Sequence, residues 1–534
     1  MDNTRIREIE RVIDDYHKSH KAFTGTKEQM TYDLLTAYGD LCICTAMAMM
    51  LNPYATDGIV QNMDALNQAI YWINYSELPK GDSELSYKIS EERYEECVSL
   101  LREYAYPYST ICSGYIAYSP KKLTAKVSEN VVTFDIPEDD NNSSWNDILR
   151  ERSEKNPEEF ISVFNPIKIS AAFEKLKPYV YLEDEELCYS ISGDVLNAFL
   201  EVASEQWNAT KTLPDDWKFD SFTLEEYRQT WIDLAALCYI HFCSLFTVKD
   251  PIERINNSVI RQTPEGIIKY ITSVNGINES TIKRIVDYIT YDSSKKNMDI
   301  MYQPLVRVSE NTLLIAPMLF IGSNPERNLL SLVSLNNNDD TYSKEVNDLE
   351  DLMVKELEEM IPKDDKIIIR KHKQLGGRLP DIDLGIFDEH SNSVLLCELK
   401  WFMAADSSRE VYAREDDINH GCEQQETVMA YALQDRAGFI KRVFEVDDTE
   451  NVDIFCCVVA KHNIRTTNKH VPVIDIGTMK KLLADKPLNS VFNIIRNHEY
   501  EIKMPEDAIV TYKSVEYAGY QFKLPAICIG FELE

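Results

Sequence analysis

The stretch that most constrains this chain is residues 376–401, GGRLPDIDLGIFDEHSNSVLLCELKW. Its alternation of apolar and polar residues predicts a β-hairpin: a half-buried strand over 381–387, a polar turn over 388–393 and a second strand over 394–400. Side chains alternate across a strand, so Asp381 and Asp383 share a face, as do Glu398 and Lys400. Carboxylates and an ammonium placed where two apolar strands pair are costly to bury unless something compensates them. A divalent metal ion is the natural candidate.

Pro380-Asp381-x-Asp383, followed by Glu398-x-Lys400 at the end of the next strand, resembles the signature of the PD-(D/E)XK nuclease superfamily. That group includes type II restriction enzymes, resolvases and RecB-type exonucleases. The resemblance implies that Asp383 and Glu398 hold Mg2+, with Mn2+ able to substitute, and that the backbone carbonyl of Leu399 is a third ligand. It gives Lys400 the task of positioning or deprotonating the attacking water, which makes Asp383, Glu398 and Lys400 the catalytic set. Asp381 follows the proline and stays open as the matching aspartate; Asp383 is preferred because it lies deeper in the strand. In several branches a preceding helix adds a glutamate to the metal. Glu350, set in the stripe Val346, Leu349, Met353, Leu357 and Met360, is the best match, with Glu345 and Glu356 as rivals. An ordinary acidic helix surface is the competing reading.

The surrounding pattern gives the same element order: a helix over 343–360, strands over 366–374, 381–387 and 393–400, a mostly charged connection over 405–419, a helix over 422–444 and a strand over 452–460. The expected fold class is multidomain α+β or α/β. A mainly helical N-terminal region precedes a C-terminal αβββαβ restriction-endonuclease-like core with a mixed sheet. RecB-like members carry a Gln-x-x-x-Tyr motif on the helix after the Glu-x-Lys strand. Here Gln424 and Gln425 precede Tyr431 by other spacings, so each either contacts substrate or faces solvent. His420 and Lys461 fall where the rim of such a site should be.

Two to four domains are expected from 534 residues, and the chain divides into a helical domain over 1–112, a mixed β/helical region over 113–257, a candidate winged-helix-like module over 258–335, the nuclease domain over 341–490 and a β-rich tail over 491–534. Residues 115–118, 123–127 and 131–136 read as strands, and 138–144 as a polar loop. Helices over 264–274 and 280–288, then a hairpin over 302–315, follow the order of a winged helix whose Lys283 and Arg284 would face DNA. A plain helical hairpin competes with that reading.

A net charge of −33 opposes nucleic-acid binding over the whole surface, because phosphate contacts need cations. Locally the sign reverses. Residues 366–378 hold Lys366, Arg370, Lys371, Lys373 and Arg378 with no acid among them. Arg370, Lys371, Lys373 and Arg378, with Gln424 and Gln425, are therefore the candidate substrate-binding residues; a solvated edge strand is the alternative. No Walker A loop occurs, so any motor is a separate protein. The twelve cysteines lie mostly in apolar runs with no C-x-x-C spacing, which predicts buried thiols in a reducing compartment. No apolar run reaches the ~20 residues of a membrane span, and the charged opening has no signal-peptide core, so a cytoplasmic chain without membrane contact is expected. The expected function is Mg2+-dependent phosphodiester hydrolysis of nucleic acid, DNA favoured over RNA and endonucleolytic over exonucleolytic. By analogy it is a restriction or antiphage defence effector acting with a separate protein partner or as a homo-oligomer. A nuclease-like fold that only binds nucleic acid or scaffolds is the alternative.

Overall fold

Burial of long apolar helices builds the first of two units in this computed structural model, made of Met1–Cys112, Lys155–Tyr342 and Val515–Gln521. The structure describes residues 2–51, 57–81, 85–137, 165–209, 211–219, 221–293, 299–335, 339–405, 408–447, 451–462, 468, 470–501 and 508–529. The loop expected over 138–144 lies outside them. Helix Leu224–Leu245 buries Tyr227, Trp231, Leu234, Cys238 and Leu245, so its apolar character on all sides marks a core helix. It begins at a capping box, in which Thr223 accepts from the Glu226 backbone while the Glu226 side chain accepts from the Thr223 backbone. Helices Pro264–Asn275 and Glu279–Tyr288 are joined through Gly276, which takes φ 71°, and Asn278 caps the second. Hairpin Leu305–Ser309 and Thr312–Ile315 follows, but it sits inside a four-stranded sheet with Ile260–Gln262 and Thr290–Tyr291. Lys283 and Arg284 are exposed. No helix among the described residues is long and apolar enough to cross a membrane.

The second unit comprises Ser113–Glu154, Ser343–Ser514 and Phe522–Glu534. Its elements run α1 (Asp339–Met360), β1 (Ile367–Lys373), β2 (Ile382–Asp388), β3 (Ser393–Lys400), α2 (Ser408–Gln434), α3 (Arg436–Phe444), β4 (Asp453–Ala460), β5 (Val473–Asp475), α4 (Ile476–Asp485) and α5 (Leu488–Arg496). The five strands form one sheet in the order β1-β2-β3-β4-β5. β1, β2 and β3 pair antiparallel, whereas β4 and β5 join parallel, so the sheet is mixed. β3 is central and buried from Ser393 to Leu399, which explains its nearly unbroken apolar sequence. Phe387, Val394, Leu396, Val428, Ile440, Val443 and Phe444 close the core between the sheet and α2 and α3.

Two expectations are corrected. Residues 115–118 end the helix Tyr106–Tyr118 and are not a strand; a four-residue apolar run fits either period. Residues 408–419 are helical and not a connection, because α2 begins at Ser408. The buried stripe of α2 passes through Val411, Glu415, Ile418 and Cys422, and the acid in it hides the pattern. Glu415 is tolerated there because Lys122 Nζ stands 2.5 Å from its carboxylate. A second sheet pairs the hairpin Thr124–Ser128 and Val131–Asp135 with the hairpin Ala508–Tyr517 and Tyr520–Ile529, of which the parts up to Ser514 and from Phe522 belong to this unit.

Candidate active site

The register of β2 and β3 pairs Leu384 with Cys397, so one step further Asp383 stands against Glu398. Asp383 Oδ2 accepts from the Leu399 backbone N–H at 2.7 Å, which ties the carboxylate to the adjacent strand. Lys400, at the end of β3, donates to Glu398 Oε1 at 2.8 Å. From α1, Glu350 Oε1 lies 3.4 Å from the Trp401 backbone N–H. Three carboxylates thus meet one ammonium at the ends of the two central antiparallel strands.

Their electrostatics follow from that composition. Burial pushes Glu398 up to about 7, Asp383 pushes the same way, and Lys400 opposes both. Burial also raises Asp383, against the Leu399 N–H, Lys400 and His372. Glu350 is raised by burial first, with Lys400 lowering it and Asp383 raising it again. Burial disfavours the Lys400 charge, yet Glu398, Glu350 and Asp383 outweigh that and hold the ammonium above its usual range. Such a site carries more negative than positive charge in a partly dry setting, and its donors are hard oxygens. That donor set fits Mg2+ or Mn2+, which need only one or two protein carboxylates. No three His, Cys, Asp or Glu side chains among the described residues already stand as a metal-holding group. The hydrogen bonds to Leu399 and Lys400 account for where two of the carboxylates point.

The other residues singled out by sequence separate into groups. Asp381 is exposed, whereas Asp383 is half-buried in the cluster. Glu356 bridges Lys480 Nζ at 3.1 Å and Lys461 Nζ at 3.9 Å. The side chain of Glu345 lies outside the described residues. His420 is exposed on α2, 3.9 Å from Glu423. Lys461 donates its backbone N–H to the Lys400 carbonyl at 2.9 Å, beside the cluster. The basic run does not form one surface. Arg370 donates to the Phe444 carbonyl at 2.9 Å and, with Lys373, pairs with Glu445, while Lys371 pairs with Glu358 at 2.7 Å. Arg378 is exposed. Gln425 is completely buried, with both amide atoms unpartnered among the described residues, so the solvent-facing alternative does not hold for it. It lies on the buried stripe of α2 between Gly421 and Val428. Gln424 is partly buried and its Oε1 is likewise unpartnered.

Sequence reasoning missed two residues. Gly421 lets α2 pass so close that an added Cβ would sit 3.1 Å from Lys400 Cε and 3.4 Å from Glu398 Cγ. A glycine inside a helical stripe was the available signal. His372 has a left-handed φ of 47°, and its Nε2 lies 3.2 Å from Asp351 Oδ1. Alternation would send Lys371 and His372 to opposite faces, yet both reach acids on α1. The left-handed turn at His372 is what splits the basic run.

No family model matches this chain, and neither a curated protein nor a solved structure matches it.

Proposed function

We propose that this chain is a metal-dependent nuclease of the restriction-endonuclease-like class, hydrolysing phosphodiester bonds of nucleic acid, with DNA favoured over RNA. The observation that carries this reading is the convergence of Asp383, Glu398, Glu350 and Lys400 at the ends of β2 and β3, in a unit whose elements from α1 to β5 run α, β, β, β, α, α, β, β around a mixed sheet. Asp383 and Glu398 would hold Mg2+, with the Leu399 carbonyl and Glu350 as further donors. Held there, Mg2+ would supply charge stabilisation in the transition state and activation of the attacking water. Lys400, already hydrogen-bonded beside Glu398, would orient the attacking water and add positive charge next to the scissile phosphate. The acidic surface favours contact confined to one groove, or positive charge supplied by a partner protein or a second copy; a cytoplasmic restriction or defence role fits the same economy.

The test is cleavage of labelled single- and double-stranded DNA and RNA with Mg2+. Wild type is compared with Lys400→Ala and Glu398→Ala after both variants pass a folding check. Wild type should cut, and each substitution should slow cutting at least ~100-fold. One observation favours a second reading, a nuclease-like fold that binds or scaffolds without cutting. Lys371, Lys400, Lys461 and Lys480 are all engaged by acids. Under that reading folded wild type binds nucleic acid and leaves it intact with every metal tried.

A further inference from the structure

Two cations near the cluster have no part in the chemistry given to Asp383, Glu398 and Lys400. Lys461 follows β4, and its backbone N–H donates to the Lys400 carbonyl at 2.9 Å, so it leaves the sheet next to the strand end that carries Lys400. Lys480 comes from α4, the helix that follows β5. β3, β4 and β5 run parallel, which places Lys400, Lys461 and the start of α4 at the carboxyl ends of the parallel strands. Open α/β sheets bind their ligands outside that end. There both lysines converge on one acid from α1, and they use different oxygens of it. Lys480 Nζ stands 3.1 Å from Glu356 Oε2, and Lys461 Nζ stands 3.9 Å from Glu356 Oε1.

We infer that Lys461 and Lys480 form a subsite for an uncleaved phosphate of the nucleic-acid strand, next to the phosphate attacked at Lys400. This assignment rests on the nuclease reading. The geometry of Glu356 carries it. A carboxylate offers two equivalent oxygens and one negative charge, as a phosphodiester does through its two non-bridging oxygens, so a group bridging both lysines already marks where the phosphate sits. Exchange is open to solvent: the side chains of Lys461, Lys480 and Glu356 are 23%, 38% and 39% exposed. Charge favours it too. Two cations share one anion here, whereas Lys371 and Lys400 each pair with an acid of their own. The trio is therefore net positive in a chain of net charge −33.

The test compares wild type with the double variant Lys461→Gln/Lys480→Gln, with Glu356→Gln and with Lys461→Arg, each checked for folding by circular dichroism. Affinity for labelled single- and double-stranded DNA is read by anisotropy in EDTA over a range of salt. It is read again as the half-saturating protein concentration in single-turnover cleavage with Mg2+. The double variant should bind about 10-fold more weakly and lose about 1 from the slope of log affinity against log salt. Its cleavage rate at saturation should stay within about threefold of wild type, since these lysines do not touch the scissile phosphate. Lys461→Arg keeps the charge and should bind as wild type does. Glu356→Gln removes the competing anion and should tighten binding about threefold, a gain that a purely structural ion pair does not give. Unchanged affinity in the double variant, or weaker binding in Glu356→Gln, overturns the subsite. If the double variant does not fold, Lys480→Gln alone and Glu356→Gln carry the same two opposite signs. Wild type that binds without cutting, with binding lost in the double variant, overturns the nuclease reading and keeps the subsite. Wild type that neither binds nor cuts overturns both.

Discussion

Gly421→Ala isolates how closely α2 must pass the site. The glycine lies in the interior of a 27-residue helix, so replacing it with alanine should stabilise that helix by about 0.5–1 kcal/mol through the backbone alone. The new methyl would lie 3.1 Å from Lys400 Cε, 3.4 Å from Glu398 Cγ and 3.5 Å from Val458 Cγ1. The lysine tip is the tightest of these contacts and the one most able to give, by a few tenths of an ångström. A displacement approaching 1 Å costs up to ~100-fold in rate, so a shift of a fraction of that should slow cleavage about 10-fold. The variant is therefore expected to be as stable as wild type or slightly more so, and markedly slower. Urea titration followed by circular dichroism reads the first quantity, and single-turnover cleavage with Mg2+ reads the second. Cleavage at the wild-type rate would refute the claim that this contact sets Lys400. A loss of more than about 1 kcal/mol would show that the neighbours cannot yield and that the glycine is there for packing alone.

Other expected outcomes lie in the first unit. Asp233 is buried and accepts from Gln229 at 3.0 Å and from Asn275 at 2.6 Å, yet burial raises its carboxyl to about 7. The folded state thus holds a proton that the unfolded state releases from about 3.8 upward, so this group's contribution is fully present below 3.8 and lost as pH rises through 7. Asp233→Asn should remove that slope, melting close to wild type at pH 3.5 and increasingly above it from pH 5 to pH 8; parallel pH profiles would refute the assignment. Arg228 meets Glu326 at 2.8 Å through Nε, with both side chains almost fully buried, and Glu326 also accepts from the backbones of Thr212 and Leu213 at 2.9 Å. Arg228→Met strands that carboxylate and should cost about 3–5 kcal/mol in a denaturant melt, and a loss below 1 kcal/mol would contradict the burial argument.

Much of the second unit was legible because its strands obey simple patterning. The period-2 run ending at Asp388, the apolar run ending at Lys400 and the helix of α1 all lie close to where sequence alone puts them. Charged residues stood out at the strand ends because so little else in those strands is polar. Illegibility had specific causes. Glu415 broke the apolar stripe of α2 in sequence, and its compensating partner, Lys122, is almost 300 positions away in the chain. Gln425 resembled a surface residue because a polar side chain is normally exposed, and nothing local reveals that it is completely buried. His372 carries no mark in sequence of its left-handed backbone.

That last point changes how the basic run is read. Counted along the chain, Lys366 to Arg378 resembles a single phosphate-binding surface. The turn at His372 instead sends Arg370 and Lys373 toward Glu445 and brings Lys371 and His372 onto the acids of α1. The cations nearest the cluster come from separate places: Lys400 from β3, Lys461 just after β4 and Lys480 from α4, the last two sharing Glu356. A phosphate backbone entering here must replace carboxylates that already hold these lysines. The pairs of Glu356 with Lys461 and Lys480 are partly exposed and individually weak, at ~0–1 kcal/mol, so they are exchangeable at modest cost, whereas the Lys400–Glu398 pair is buried. On this argument the large negative charge of the chain and a nucleic-acid site are compatible. Glu356 on α1 holds Lys461 and Lys480 until phosphates displace it, and binding should weaken steeply with salt while the fold does not.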